Sequence, residues 1–281
     1  MKAFPSIPRR ANAPAELFQT GHLWLLEKVD GANFRFQLQQ SGQLRFGDRN
    51  RVYQDPTNVP DPSQHAVRHV QTHLDREALR AAVDDVEEIV FFGEAMHRHT
   101  IEYDWDRTPS FLGFDIWSAD DEAFRPPGAV NRIFERLGLQ PVNAVERELS
   151  ARDFDPDSYS IPQSAWYDGP AEGVVVRNKR GQRAKLLHPK FQEVEDTIPV
   201  DASAEELAAK YATERRFEKL VGTFADRGQA VSFDALYDRV IEDILREEHK
   251  RLYHGSQEID LSTFRSEVAA RTQAFLDDYW E

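Results

Sequence analysis

The chain has 281 residues, of which 40% are hydrophobic, so it can build one large domain or two smaller ones around a substantial core. A formal net charge of -14 argues against non-specific coating of nucleic acid, which runs on basic surface, and the lack of cysteine excludes disulfides and thiolate metal sites. No apolar stretch approaches transmembrane length, and Met1-Lys2-Ala3-Phe4-Pro5 lacks the apolar centre of a signal peptide, so the sequence reads as cytoplasmic with no membrane partner.

In chain order, Leu23-Trp24-Leu25-Leu26 and Phe34-Arg35-Phe36 read as strands on either side of Glu27-Lys28-Val29-Asp30-Gly31-Ala32-Asn33. They would hold Lys28 at a turn, where Gly31 would let backbone approach a phosphate. A neutral lysine amine can attack phosphorus and hold a nucleotide as a phosphoramidate. The plainer reading is a hairpin turn with a solvated lysine. Because Lys-x-Asp-Gly arises by chance in roughly one chain in twenty of this length, the other parts of a nucleotide pocket have to be found downstream.

Phe46-Gly47-Asp48-Arg49-Asn50 follows. His65, His69 and His73, spaced by four, would share a helical face, and His97-Arg98-His99 comes later. A zincin needs a glutamate between its histidines and this run has none, so a solvated or RNA-facing helix reads better than zinc. Glu94 ends the apolar strand Val90-Phe91-Phe92-Gly93, and Glu172 opens Gly173-Val174-Val175-Val176. Carboxylates there face a cleft or solvent, and burial calls for a partner: Mg²⁺, a ribose hydroxyl, or a strand-end salt bridge. Phe114, in Phe111-Leu112-Gly113-Phe114-Asp115-Ile116, can supply one side of an adenine slot or be ordinary core. Arg183 and Lys185 lie two apart on a strand pattern, so both face one way and could reach an α-phosphate or a departing pyrophosphate, Lys185 being the better candidate.

The chain changes character near Pro199. Before it, short apolar runs punctuated by Gly, Pro and Asp predict an antiparallel-rich α+β domain over 1–199. After it, a small all-α domain over 200–281 is predicted from three helical patterns. The first starts at a capping box, Ser203-Ala204-Glu205-Glu206, and runs through Leu207, Tyr211, Phe217 and Leu220. The second covers Asp234 to Tyr253 and stops near Gly255; the third covers Ser262 to Trp280.

These motifs, from Glu27 to about Phe191, occur in the order seen in the covalent nucleotidyltransferase superfamily, and the chain most closely resembles the RNA ligase 2 family. The resemblance implies an adenylyltransferase domain that uses ATP and Mg²⁺ or Mn²⁺, with AMP held covalently on Lys28. It implies nucleotide contacts from Glu27, Asn33, Arg49, Glu94, Phe114, Arg183 and Lys185. Glu94 would contact ribose; Glu172 would bind the metal that activates the lysine; Lys185 would join the catalysis. A lysine amine is protonated at neutral pH, and neighbouring cations with a metal near Glu172 would favour its neutral form. Glu27 and Asp30 would oppose that unless engaged elsewhere. Ala32 stands where the family often has Thr. DNA ligases and capping enzymes append a β-barrel where this chain has helices, so the expected substrate is RNA ends, in nicked duplex RNA or an RNA/DNA hybrid, with an end-healing kinase or phosphatase as a partner. A DNA ligase, a capping guanylyltransferase and a non-catalytic end-binding module are the alternatives.

Overall fold

The protein is described by a computed structural model covering residues 1–191, 202–249, 252 and 259–280. Pro199, Tyr253 and Gly255 lie outside the described residues. The chain divides into two compact units, Met1–Val194 and Glu195–Glu281.

The first unit is mixed α+β, as the sequence predicts, and is built on two antiparallel sheets. One has the order β10-β9-β1-β8, with β1 at His22–Lys28, β8 at Ala144–Ser150, β9 at Gly173–Asn178 and β10 at Arg183–Leu187. The other has the order β4-β3-β2-β5-β6-β7, comprising Ala32–Leu38 (β2), Leu44–Gly47 (β3), Val52–Tyr53 (β4), Ile89–Ala95 (β5), Phe111–Ser118 (β6) and Ala123–Phe124 (β7). The β2 side chains alternate: Phe34, Phe36 and Leu38 enter an aromatic core with Phe46, Phe91, Phe111 and Phe134, the last from helix α3 (Pro127–Arg136). Leu23 and Leu25 of β1 pack with Val174 and Val176 in another cluster, whereas Trp24 and Leu26 pack with Leu112 of β6. With both faces covered, β1 is a nearly continuous apolar run, which is why it lacks a clean two-residue period.

The strands flanking Lys28 do not form a hairpin. They belong to different sheets, and Lys28 is the last residue of β1, in register with Gly173 of β9. Gly31 is required by a close backbone approach: a Cβ there would meet the Ala95 carbonyl oxygen at 2.6 Å. Helix α1 (Gln64–His73) carries the spaced histidines, but the solvated reading fails for His65, which is 2% exposed. Its place in the helix puts it with buried Ala66 and Val67, edge-on to His97, while His69 and His73 stack farther out. Helix α2 (Arg76–Ala82) starts at an Asp75 cap.

The second unit contains α4 (Ala204–Tyr211), α5 (Glu214–Asp226), α6 (Phe233–Glu247) and α7 (Leu261–Trp280). The predicted capping box is present, with Ser203 and Glu206 bonded reciprocally. The first predicted helix is in fact two, because Thr213 takes an extended conformation (φ -91°, ψ 153°) at the N-cap position of α5, without a side-chain capping bond. Leu207, Phe217, Leu236, Ile244, Phe264 and Leu276 make a core of this unit's own. No described helix is long and apolar enough to cross a membrane.

Candidate active site

The end of β1 delivers Lys28 into a cleft of about 270 Å³ lined also by Glu27, Asn33, Arg49, Glu94, Phe114, Arg183 and Lys185. The Lys28 Nζ donates to both oxygens of Glu172, at 2.7 and 2.6 Å. The register explains the meeting: Lys28 is opposite Gly173, so the residue before β9 falls beside the lysine head group. Lys185, on the next strand, is opposite Val175.

The two carboxylates nearest Lys28 in sequence are occupied. Glu27, 2% exposed, accepts from the Ser164 hydroxyl (2.6 Å), the Ala165 N–H (3.1 Å) and the Asn143 amide (3.2 Å). Asp30 accepts from the N–H groups of Thr100 (2.6 Å) and Ile101 (2.9 Å), and its own N–H donates to the Tyr103 hydroxyl. Thus neither carboxylate is directed by a hydrogen bond to the amine, as lysine chemistry would require.

Asn33 and Glu94 are cross-strand partners on β2 and β5. Burial pushes the Glu94 carboxyl up to about 8, against the pull of Lys28 and with the push of Glu172 and Asp30. Burial likewise raises Glu172, opposed by Lys28. Glu94 Oε2 and Asn33 Oδ1 are buried with no hydrogen-bond partner among the described residues. A desolvated acceptor beside a second carboxylate, with oxygen as the only donor atom, fits a hard divalent cation. It fits a hydroxyl donor such as a ribose equally well.

Phe114 borders the cleft, and one of its sides is taken by Phe4, 4.9 Å away and edge-to-face. The two cations of β10 differ. Arg183 is 8% exposed, and its guanidinium bonds Asp115 and the Gly181 carbonyl. Asp115 of β6 also pairs with Arg177 of β9 at 2.9 Å. This buried Asp-Arg-Arg group joins the two sheets at the cleft, so Arg183 lines the cavity while its guanidinium is braced by Asp115. Sequence spacing gave the shared face of the strand but not the carboxylate across from it. Lys185 has no side-chain ion pair among the described residues. Desolvation, then Lys28 and Arg9, hold its ammonium below the usual lysine range. Arg49 is exposed at the cleft mouth. Sequence reasoning missed Phe4, Pro5 and Ile7, which line the cleft from a segment without strand or helix periodicity.

The RNA ligase profile matches residues 21–189. No curated protein sequence matches the chain. Among solved structures, a point mutant of a Naegleria gruberi RNA ligase with ATP and Mn superposes with a TM-score of 0.54 at 13% identity, over 70% of this chain and 59% of that one. The same enzyme with pyrophosphate gives 0.51 at 15% identity, over 68% and 57%. An archaeal ATP-dependent RNA ligase (form 2) gives 0.47 at 17% identity, over 99% and 65%. The chain therefore spans less than two thirds of the length of these proteins, and at such identities the likeness is one of fold.

Proposed function

The chain belongs to the RNA ligase family, and from that premise we propose that it is an ATP-dependent RNA ligase working through a lysyl-AMP intermediate. The observation that carries the reading is Lys28 held by Glu172 at the end of β1, in a cleft where Lys185 and Arg49 supply positive charge without carboxylate partners. ATP is the substrate, and Mg²⁺ or Mn²⁺ the metal; the Naegleria gruberi enzyme of the same fold has been solved with ATP and Mn. A divalent cation bound by Glu172, with Glu94 beside it, would take the carboxylate oxygens from the Lys28 ammonium and neutralise phosphate charge.

The residues divide the work. Phe114 and the apolar cleft wall take the base; Glu94 and Asn33, with open acceptors, take ribose or metal-bound water. Lys185 and Arg49 steady the phosphates and the charge that develops on the pyrophosphate leaving group. Lys28, having lost its proton, attacks the α-phosphorus: the N–P bond forms, the bond to the bridging oxygen breaks, and pyrophosphate departs. The AMP then passes to an RNA 5′-phosphate, and a 3′-hydroxyl attacks that activated end and releases AMP. Glu27 and Asp30 keep the loop around Lys28 in place through their bonds to residues 164–165 and 100–101. Residues 1–199 perform nucleotidyl transfer and residues 200–281 serve the polynucleotide.

RNA is distinguished from DNA by its 2′-hydroxyls, and the final attack tolerates little misplacement of the 3′ end. A nick with ribose at its 3′-hydroxyl end is therefore sealed much faster than an all-DNA nick, whatever sugar carries the 5′-phosphate. Single-turnover sealing of matched nicks tests this: equal rates for ribose and deoxyribose at the 3′ end would overturn RNA specificity. Labelling of the protein by α-labelled GTP instead of ATP would point to a capping enzyme.

A further inference from the structure

The family match begins at residue 21, yet part of the wall around Lys28 comes from residues before it. Phe4, Pro5 and Ile7 line the cleft. Phe4 packs against Phe92, Phe114 and Phe124, and the Lys2 carbonyl accepts from the Arg35 guanidinium, so this end of the segment is fastened to the six-stranded sheet. Its other end is fastened to the four-stranded sheet: the Lys185 N–H donates to the Pro8 carbonyl at 2.9 Å, and Arg9 forms a parallel bridge with Lys185. The segment thus extends the β10 edge and sets Arg9 beside Lys185. From there a second groove, of about 590 Å³, shares Lys185 with the cleft and is lined by Arg9, Tyr159, Ser160 and His188, with the Arg10–Asp157 pair also on its wall.

The charges here are not balanced. Arg10, the next residue, is bonded to Asp157. Arg9 has no side-chain hydrogen bond or ion pair among the described residues, and neither have Lys185 and Arg49. Arg9 is close enough to Lys185 to disfavour its ammonium. The Glu172 carboxylate that attracts Lys185 is already bonded by Lys28, and Lys185, Arg9 and Arg49, which make no ion pair among the described residues, repel one another until an anion joins them. A guanidinium in a groove that shares Lys185 with the nucleophile's cleft suits phosphate oxygens, which it binds in a planar fork.

We propose that residues 4–9 are part of the substrate site and that Arg9 binds phosphate there, as a third cation with Lys185 and Arg49. This rests on the RNA ligase reading for the identity of the substrates. The phosphate has two sources in that reaction, the β and γ groups of ATP or the 5′-phosphate of the RNA.

The test uses the full chain and its Arg9→Ala, Arg9→Lys and Arg136→Ala variants. Three quantities are measured: the rise in Tm with inorganic pyrophosphate, the rate of adenylylation by α-labelled ATP, and the transfer of AMP from isolated adenylylated enzyme to a nicked RNA. Loss of a charge-assisted phosphate contact should slow one transfer by about tenfold or more. Arg9→Lys should recover part of the loss, and Arg136→Ala, which makes the same change in net charge on the exposed face of α3 outside both cavities, should match the wild type. Slower adenylylation with a smaller pyrophosphate shift identifies the ATP phosphates; normal adenylylation with slower transfer to RNA identifies the 5′-phosphate. Equal behaviour of Arg9→Ala and wild type in all three assays would overturn the proposal while leaving the ligase reading intact. If the wild type takes no label from ATP, the ligase reading fails, and the pyrophosphate shift alone decides: its loss in Arg9→Ala upholds the phosphate site, and no difference refutes it.

Discussion

Ionisable groups are handled in opposite ways around Arg216 in the helical unit and around Lys28 in the cleft of the other. In the helical unit the Arg216 guanidinium bonds Asp243 at 3.3 Å and Glu247 at 2.7 Å; burial works against its charge, but these carboxylates prevail and hold the guanidinium pKa up. In the other unit, Glu94 keeps an acceptor without a donor in the cleft, and Lys185 and Arg49 of the cleft and Arg9 of the adjoining groove make no ion pair among the described residues. Charges that serve a fold are closed by the fold. Charges that serve a ligand are left open, at some expense in stability, and the expense marks where the ligand goes.

The contrast can be broken at its strongest point with Lys185→Ala. An open cation aimed at a developing charge acts mainly on the transition state, so adenylylation should slow by about 10²–10³-fold with little change in Tm. A large fall in Tm with intact adenylylation would make Lys185 a structural residue. Stability sharpens the contrast through two substitutions of opposite sign. Folded Glu94 keeps its proton up to about pH 8, whereas the ordinary value is 4.5, so between these limits the unfolded chain holds fewer protons and stability falls as pH rises. Glu94→Gln should match the wild type in urea unfolding near pH 4.5 and exceed it above pH 8. The gain should be on the order of 2 kcal/mol, since each displaced pKa unit is worth about 1.4 and the amide keeps part of the desolvation cost. Arg216→Gln should instead destabilise by about 1–2 kcal/mol at neutral pH, a figure reduced for the partial exposure of its partners. If both substitutions moved stability the same way at pH 8, the distinction between open and closed charges would fail.

Much of this was legible in the sequence, for particular reasons. Lys28, Glu94 and Glu172 each sit at or beside the end of a strand that announces itself by apolar runs, and Lys185 lies at the middle of β10, so their order along the chain and the strands that carry them could be read. The Asp115 brace could not, because alternation tells which residues share a face and not what stands across from them. The break between α4 and α5 was hidden because Tyr211 and Phe217 keep a helical apolar rhythm across Thr213. Phe4 and Arg9 were hidden because an irregular segment has no period; only the fold brings it to the β10 edge.

The central claim is that Lys28 is the nucleophile, and the most direct measurement is the fate of the α-phosphate. Incubated with α-labelled ATP and a divalent metal, the wild-type protein should carry acid-labile AMP on a peptide containing Lys28. Lys28→Ala should carry none, and Lys28→Arg should fail as well because a guanidinium does not give up its proton. Labelled AMP on folded Lys28→Ala protein, or on any other peptide of the wild type, would contradict the account.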